Sequence, residues 1–365
     1  MFGIINFFLA TPSPTKAIEK SFANSNVPGA AHVAVLVSPS PTKAIEKPYV
    51  ISDVLRAAQV AVDATPTIFC KSHFDEMSAL LDKWIPHPIP FSVKRRMWST
   101  MLNAFENGSS SDLCESVMKI FRESKLYESS KIAKSLNPPV NLMSTGIDEG
   151  APLVLVESQQ GEYGFNKILS KSNVKGESVV VDLGSNIGCT IIALARLTGN
   201  STKVVAVEAM PVTWFYQQIN LWSNVREDML AGRVVSILAA IGGLQKKEIK
   251  FQFRADSLTS ARDWNPSSED WRTTMEVKLH TRNVEELLEE NNIPPSSPIL
   301  LLKLDCEGCE YDAVPDFSEN FMKRVQGVTG ELHYNWMVSN KRKLPPKDKV
   351  DLTQHILCTR WKFYC

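Results

Sequence analysis

The segment Val179–Gly188 constrains the fold of this chain more than any other part of it. Three consecutive valines open the segment, and such a β-branched run is typical of a strand buried on both faces of a parallel sheet. Gly184 and Gly188 then bracket a turn, after which apolar residues recur at helical spacing over Cys189–Leu197. A buried strand, a glycine turn and a helix predict an open α/β sheet with a ligand site at the carboxyl end of the strand.

The spacing in this turn excludes two common phosphate-binding loops. The dinucleotide pattern G-x-G-x-x-G would need glycines at the positions of Asn186 and Cys189. The P-loop pattern also fails, because its four-residue gap and its Gly-Lys-Ser/Thr ending are both absent. What remains is the carboxylate of Asp182 beside backbone that a ligand can approach closely, which favours a ligand with an amino-acid end.

A second buried strand is predicted at Val204–Val207, and Glu208 follows it directly. An acid at this point can accept both hydroxyl protons of a ribose. Pro211 is expected to begin the next helix. Buried runs predict three further strands, at Val234–Ile241, Ile299–Leu302 and Val325–Leu332.

Four short blocks extend this pattern along the chain. They are Asp182–Gly188, Glu208–Pro211, Leu301–Asp312 and Glu331–His333. In this order and spacing they resemble the FkbM-type family of S-adenosylmethionine-dependent methyltransferases, over about residues 150 to 335. The resemblance implies a class I methyltransferase fold, a mostly parallel, Rossmann-like α/β sheet with helices on both faces. It also implies transfer of a methyl group, most often to a hydroxyl oxygen.

The resemblance makes S-adenosylmethionine the expected cofactor, with backbone near Ala240 facing the adenine. The candidate cofactor-binding residues are Asp182, Gly184, Asn186, Gly188, Glu208 and Ala240. Each of these residues except Ala240 could also be present for a purely structural reason. Glycines turn the chain, Asp182 can cap the turn, Asn186 tolerates a left-handed conformation, and Glu208 could be a solvated strand end.

Charged residues crowd the carboxyl end of the fourth predicted strand, where Asp305, Glu307 and Glu310 follow Lys303. Carboxylates at such a strand end can orient a substrate hydroxyl or act as general base. We expect Asp305 to be catalytic and to lie beside the transferred methyl group, and Glu307 and Glu310 to shape the acceptor pocket. The alternative is an exposed loop in which Lys303 pairs with a carboxylate, which contributes only about 0 to 1 kcal/mol.

His333 closes the fifth predicted strand. An imidazole there, with a pKa near neutral, could take the proton of the acceptor. A hydrogen-bonded histidine at a strand end fits the same sequence. We expect Asp305 and His333 to act jointly, with most of the catalysis coming from close approach of the two reactants.

The pair Cys306 and Cys309 forms a C-x-x-C pattern with three interpretations. A zinc site would need two more ligands, but His280 and His333 stand alone, so no metal is expected. A thioredoxin-like redox pair should follow the first strand of its unit. The simplest interpretation is two small apolar residues that face the sheet. The seven cysteines, an odd number without regular spacing, argue against a disulfide framework and mildly for a reducing compartment.

Composition limits the partners of the chain. Forty basic and forty acidic residues give a net charge of zero, and no run rich in lysine and arginine indicates nucleic-acid binding. No stretch approaches the roughly 20 apolar residues of a transmembrane helix. The apolar segment Met1–Ala10 lacks a basic region before it, so the cytoplasm is expected, with a secretory signal as the alternative.

Three regions are predicted. Residues 1–50 form a poorly ordered tail in which Pro12–Lys20 recurs identically as Pro39–Lys47. Residues 51–140 form a helical subdomain, and residues 150–365 form the methyltransferase domain. Helices of the subdomain are expected over 51–64, 72–84, 92–105 and 111–136. The subdomain either covers the site of a small-molecule or glycan-like acceptor or serves as a scaffold.

The carboxyl-terminal part departs from a full class I sheet. After His333, only a helix from about residue 346 to 358 and a short strand at 361–364 are expected. The antiparallel final strand is therefore either supplied by Ile249–Phe253 or Glu276–Leu279, or missing. This departure leaves two hypotheses, an active O-methyltransferase and an inactive methyltransferase-like domain that binds a partner.

Overall fold

The computed structural model describes residues 70–85, 87–105, 111–128, 139–146, 148, 150–160, 163–171, 176–253, 260–262, 276–339 and 344–361. The repeated segment of the predicted tail and the helix predicted over 51–64 lie outside these residues. So does nearly all of the strand predicted at 361–364. The division of the chain into three regions therefore stays a prediction.

Helices and strands alternate through most of the described chain. The helices are α1 Lys71–Trp84, α2 Phe91–Asn103, α3 Ser111–Arg122, α4 Ala151–Gln160, α5 Phe165–Leu169, α6 Cys189–Leu197, α7 Pro211–Leu230, α8 Val284–Glu290, α9 Glu310–Ala313, α10 Glu319–Arg324, α11 Tyr334–Ser339 and α12 Lys347–Trp361. The strands are β1 Ser124–Glu128, β2 Asn141–Thr145, β3 Ser178–Leu183, β4 Thr202–Glu208, β5 Val234–Leu238, β6 Ala240–Ile241, β7 Glu248–Phe253, β8 Ser260–Arg262, β9 Glu276–Arg282, β10 Ile299–Leu304 and β11 Val328–Gly330. None of the described helices has the length and apolar content needed to cross a bilayer.

A five-stranded parallel sheet lies at the centre of the fold, in the order β11-β10-β3-β4-β5. Every residue of β3, β5 and β10 is buried. This is the burial that the valine and leucine runs predict, since both faces of a parallel sheet are covered. The predicted α/β sheet is therefore confirmed. Strands β3 and β4 are neighbours and end side by side, because Leu183 of β3 pairs with Val207 of β4.

The two faces of the sheet are packed by different sets of helices. Along β3, Val180 belongs to the apolar cluster on one face, while Val179 and Val181 belong to the cluster on the other. This alternation follows from the two-residue period of a strand. Helices α6 and α7 pack on the first face, and α8, α10 and α12 pack on the second.

The helices before the sheet share the core of its first face. Trp98 of α2 lies 6.3 Å from Phe215 of α7 between ring centroids, and Phe121 of α3 stacks on Tyr216 at 5.1 Å. The predicted helix over 111–136 is too long, since α3 ends at Arg122 and strand β1 follows. Helices α1 to α3 thus have no separate apolar core within the described residues.

A second sheet continues beyond β5, in the order β6-β9-β7-β8. Strand β9 pairs parallel with β6 and antiparallel with β7. The two segments proposed to supply an antiparallel strand, β7 and β9, therefore pair with each other and not with the five-stranded sheet. Within the described residues, that sheet ends at β5 and at β11.

A buried asparagine of α7 joins strand β2 to the turn after β3. The side-chain oxygen of Asn220 accepts the backbone N–H of Met143 at 2.6 Å, and its amide donates to the carbonyls of Met143 at 3.0 Å and Ile187 at 2.8 Å. Asn224, one helical turn later and half-buried, bonds both backbone groups of Asn141 in the same way. Strand β2 pairs antiparallel with β1, and side chains of α7 bond further backbone groups of β2.

We expect Asn220→Ala to lower the free energy of unfolding by about 2 to 4 kcal/mol, because it leaves three buried backbone groups without a partner. Asn224→Ala is the matched control and should cost about 1 kcal/mol, since water can reach the groups it leaves behind. Urea unfolding followed by tryptophan fluorescence measures both. Equal losses for the two variants would contradict this account of α7.

Candidate active site

A cavity of about 220 Å³ opens at the carboxyl ends of the parallel strands. Its wall comes from the residues that follow β3, β4, β10 and β11, together with α4 and Tyr163. Most of the predicted site residues line it, namely Gly184, Asn186, Glu208, Ala240, Asp305, Glu307 and His333. Asp182, Gly188 and Glu310 do not line it. The cavity lies where ligands bind in open α/β sheets.

The turn after β3 needs glycine because another loop packs against it. Gly184 has φ +82°, and a Cβ added there would overlap the carbonyl oxygen of Asp305. Asn186 adopts a left-handed conformation with φ 49°, as its structural explanation allowed. Gly188, with φ +95°, precedes α6 and faces Gln217 of α7 instead of the cavity. The backbone that approaches Gly184 closely therefore belongs to the loop after β10 and not to a ligand.

A buried lysine connects the turn after β3 with the loop after β10. The ammonium of Lys303 lies 3.1 Å from Asp182 Oδ1 and 2.9 Å from Asp305 Oδ2, and its side chain is only 2% exposed. Although burial alone would lower it, the two carboxylates raise the pKa of Lys303. Asp182 also accepts a hydrogen bond from the hydroxyl of Thr190. Asp182 is fully buried and does not line the cavity, so it supports the turn from behind, and its role in cofactor binding stays a prediction.

Tyr163 covers this lysine. Its ring centroid lies 5.1 Å from the ammonium of Lys303, and its hydroxyl donates to Asp305 Oδ2 at 3.3 Å. Sequence analysis missed Tyr163, because it lies in a turn far from every recognised block. Burial alone would raise the pKa of Asp305, but Lys303 and His333 outweigh it and hold the pKa below its usual value. Asp305 is thus an ionised carboxylate in the cavity wall.

Glu208 is held in place by the backbone on both sides of the cavity. Its Oε2 accepts the N–H of Asn186 at 2.9 Å, and its Oε1 accepts the N–H of Met210 at 2.8 Å. Burial raises its pKa to about 7. Each oxygen keeps a lone pair for a further donor, and Glu208 lines the cavity. The carboxylate can therefore accept hydrogen bonds from two further donors, and its contact with the hydroxyls of a ribose stays a prediction.

His333 lies among carboxylates. Its Nδ1 is 3.0 Å from Glu310 Oε1, and its Nε2 is 3.5 Å from Asp305 Oδ1 and 3.9 Å from Glu331 Oε2. Burial alone would lower the pKa of His333, but the carboxylates of Glu310, Glu307 and Asp305 raise it to about 10. The expectation of a pKa near neutral is therefore wrong. At neutral pH the imidazole is already protonated, so it can donate a proton or hold an anion but cannot accept a proton.

Glu310 supports His333 from outside the cavity. Its side chain is fully buried, and Oε1 also accepts the N–H of Cys306 at 3.0 Å. Glu310 does not line the cavity, so any influence on an acceptor would pass through His333 and the loop after β10, and its expected role stays a prediction. Its carboxylate fixes the orientation of the imidazole and the start of the loop after β10.

Two further glutamates line the cavity, Glu307 and Glu331. Burial raises the pKa of Glu307 to about 7, and its Oε2 is shielded from solvent without a hydrogen-bond partner in the described part of the chain. Burial also raises the pKa of Glu331, which is half-exposed. Glu331 was noted in the sequence only as part of a motif, because exposure to a cavity is set by tertiary structure.

Three side chains of the cavity each have one possible metal-ligand atom within 4.8 Å of the other two. They are Asp305, Glu331 and His333. They are the residues that could hold a metal ion within the described ranges. A protonated imidazole between carboxylates accounts for the same spacing, because opposite charges within this distance attract each other.

The sulfur atoms of Cys306 and Cys309 form a disulfide, and so do those of Cys70 and Cys114. The expectation of two unlinked apolar residues at 306 and 309 is therefore wrong. A total of seven still allows up to three pairs, so the count of cysteines carries no argument for a reducing compartment. Both Cys306 and Cys309 line the cavity.

We expect Glu307→Gln to stabilise the protein at high pH. Between its ordinary value of 4.5 and its folded value of about 7, the folded state binds the proton more tightly than the unfolded state does. Stability therefore falls as pH rises through this interval. Glu307→Gln removes the penalty and should raise the free energy of unfolding by about 2 kcal/mol at pH 8 but by less than about 1 kcal/mol at pH 5. Urea unfolding at the two pH values measures the difference.

The matched control is Glu123→Gln, which neutralises an exposed carboxylate outside the cavity and should change stability by less than about 0.5 kcal/mol at either pH. If Glu307→Gln changes the free energy of unfolding by the same amount at pH 5 and at pH 8, burial does not raise the pKa of Glu307.

Comparison with known proteins agrees with the geometry of the site. Residues 182–354 match the family model described as the methyltransferase FkbM domain. No curated protein matched the chain. The matched segment contains every predicted site residue, from Asp182 to His333, so the resemblance seen in the sequence is confirmed. Residues 182–354 are accordingly identified as a methyltransferase domain of the FkbM type.

Proposed function

We propose that this chain is an S-adenosylmethionine-dependent O-methyltransferase whose cofactor and acceptor meet in the cavity at the carboxyl ends of β3, β4 and β10. The observation that carries the proposal is Glu208. Its carboxylate faces the cavity and is held by two backbone N–H groups. A buried acid fixed in this way, at the end of the second strand, is suited to the two hydroxyls of a ribose.

The cofactor would be held mainly by backbone. The turn at Gly184 and Asn186 and the segment at Ala240 line the same cavity as Glu208. Glu208 would orient the ribose, the turn would approach the amino-acid end, and Ala240 would face the adenine. Bound there, S-adenosylmethionine supplies a methyl group on a positively charged sulfur.

Asp305 is the base in this proposal. The cofactor would supply the methyl group and keep the electron pair of its carbon–sulfur bond, and Asp305 would accept the proton that the acceptor hydroxyl loses. Lys303 and His333 keep Asp305 ionised and in position. Because His333 is already protonated, it would orient Asp305 and stabilise its charge, and the joint role expected from the sequence would be divided in this way.

The acceptor would be a small molecule or glycan-like compound with hydroxyl groups. Asp305, Glu307 and Glu331 give this side of the cavity several hydrogen-bond acceptors, while Lys303 and His333 offset their negative charge. Such a wall favours neutral hydroxylated compounds, which can donate hydrogen bonds to it without burying a further charge.

Cofactor binding tests the first part of the proposal. We expect isothermal titration calorimetry to detect binding of S-adenosylhomocysteine. Glu208→Gln should weaken it by about 10- to 100-fold, since a charge-assisted hydrogen bond to each ribose hydroxyl is lost or weakened. Glutamine keeps the size of the side chain, and circular dichroism checks that the fold is intact.

The matched control is Glu331→Gln, which removes a carboxylate from the opposite side of the same cavity and should leave the affinity unchanged within a few-fold. Failure of the folded parent protein to bind would contradict the proposed function. Equal binding by the parent and Glu208→Gln would mean that the ribose lies elsewhere.

Methyl transfer tests the second part. We expect the protein to transfer labelled methyl groups from S-adenosylmethionine to a component of a deproteinised metabolite extract. Asp305→Asn should slow the transfer by about 100-fold or more, the scale of a lost general base, with affinity for S-adenosylhomocysteine retained.

Asp351→Asn, an exposed change on α12, is the control and should not alter the rate. Full activity of Asp305→Asn would assign the proton to another group. Cofactor binding without transfer to any extract would favour the alternative of an inactive, binding domain.

A further inference from the structure

We propose that Cys306 and Cys309 are a redox-sensitive pair in the wall of the cofactor cavity, and that reduction of their disulfide weakens cofactor binding. The proposal rests on the proposed function, because it concerns the same cavity. It assigns to this loop a chemistry that neither the methyl transfer nor the fold requires.

The disulfide closes the short loop that follows β10. It joins residues three apart in sequence, and the two residues it encloses, Glu307 and Gly308, have φ of 57° and 112°. Glutamate rarely adopts such a left-handed backbone without support from its surroundings. The covalent bond between the loop ends provides that support, so the position of Glu307 in the cavity depends on it.

The same loop forms one side of the predicted cofactor turn. The backbone of Asp305 and Cys306 lies so close to Gly184 that no side chain fits between them. The N–H of Asp305 also donates to the carbonyl of Leu183 at 3.0 Å. A displacement of Cys306 must therefore be accommodated at the turn where the cofactor would bind.

A second contact connects the disulfide with the acceptor side. The N–H of Cys306 donates to Glu310 Oε1, the oxygen that also lies 3.0 Å from Nδ1 of His333. Movement of Cys306 thus changes the support of His333 as well as that of the turn. Cys306 therefore contacts both the turn at Gly184 and the carboxylate that supports His333.

Reduction separates the two sulfur atoms. A dithiol reductant gives two electrons and two protons to the disulfide, which becomes two thiols while the reductant closes its own disulfide. Unbonded sulfur atoms then move apart to van der Waals contact, about 3.5 to 4 Å, and the loop must widen. The reductant can reach the bond because Cys306 and Cys309 line the open cavity.

The test compares two redox states of the full chain. Affinity for S-adenosylhomocysteine is measured by calorimetry before and after treatment with dithiothreitol, and alkylation followed by peptide mass spectrometry reports which cysteines are reduced. We expect reduction at 306 and 309 to weaken binding by about 3- to 10-fold, the scale of ordering a few loop groups on binding.

Two double variants locate the effect. Cys306→Ser with Cys309→Ser cannot form the bond, so it should bind like the reduced parent and ignore dithiothreitol. Cys70→Ser with Cys114→Ser removes a disulfide whose two cysteines do not line the cavity, and should keep the response of the parent. If the first variant does not fold, the comparison of oxidised and reduced parent protein still decides the question.

Each outcome has a single meaning. Equal and measurable binding by the oxidised and reduced parent overturns the redox proposal and leaves the proposed function intact. A response to dithiothreitol that persists in the variant with serine at 306 and 309 also overturns it. No binding in either redox state overturns the proposed function and this proposal together.

Discussion

The buried ammonium of Lys303 is the interaction on which the arrangement of the site depends. It lies between Asp182 at the end of β3 and Asp305 after β10. Burying a charge is strongly unfavourable unless opposite charges surround it, and here two carboxylates lie on either side of the one ammonium. Without the lysine, two buried carboxylates would face each other across neighbouring strands. The ammonium thus fixes the distance between the cofactor turn and the proposed base.

The remaining carboxylates of the site are not compensated to the same degree. Burial raises the pKa of both Glu208 and Glu307 to about 7, so the folded protein holds two acids in an environment that opposes their ionised form. Such groups reduce stability at neutral pH and are common where a ligand supplies the missing partner. A ribose hydroxyl at Glu208 and an acceptor hydroxyl at Glu307 would each provide it. The cost in stability is thus a consequence of the chemistry that we propose.

Sequence analysis predicted the parts of this structure that depend on local patterns. Buried runs gave β3, β4 and β10 because a parallel strand covered on both faces must be apolar throughout. The acid Glu208 was predicted because it ends such a run. In contrast, the role of Glu310 and the contact of Tyr163 with Asp305 depend on which side chains meet in three dimensions. The pKa of His333 could not be predicted for the same reason, since carboxylates from the loop after β10 set it.

Gly184 shows how a correct prediction can have a different physical cause. The sequence suggested that glycine there lets a ligand approach the backbone, whereas the atoms that exclude a side chain belong to Asp305 and Cys306. The turn and the loop after β10 are therefore in direct backbone contact, and neither can move without the other. Because the first would hold the cofactor and the second carries the proposed base, this contact positions the two reactants relative to each other. Correct alignment can account for a large part of the rate of a reaction between two bound reactants, so Gly184 would act both through the backbone it offers to the cofactor and through the loop that it allows to pack against the turn.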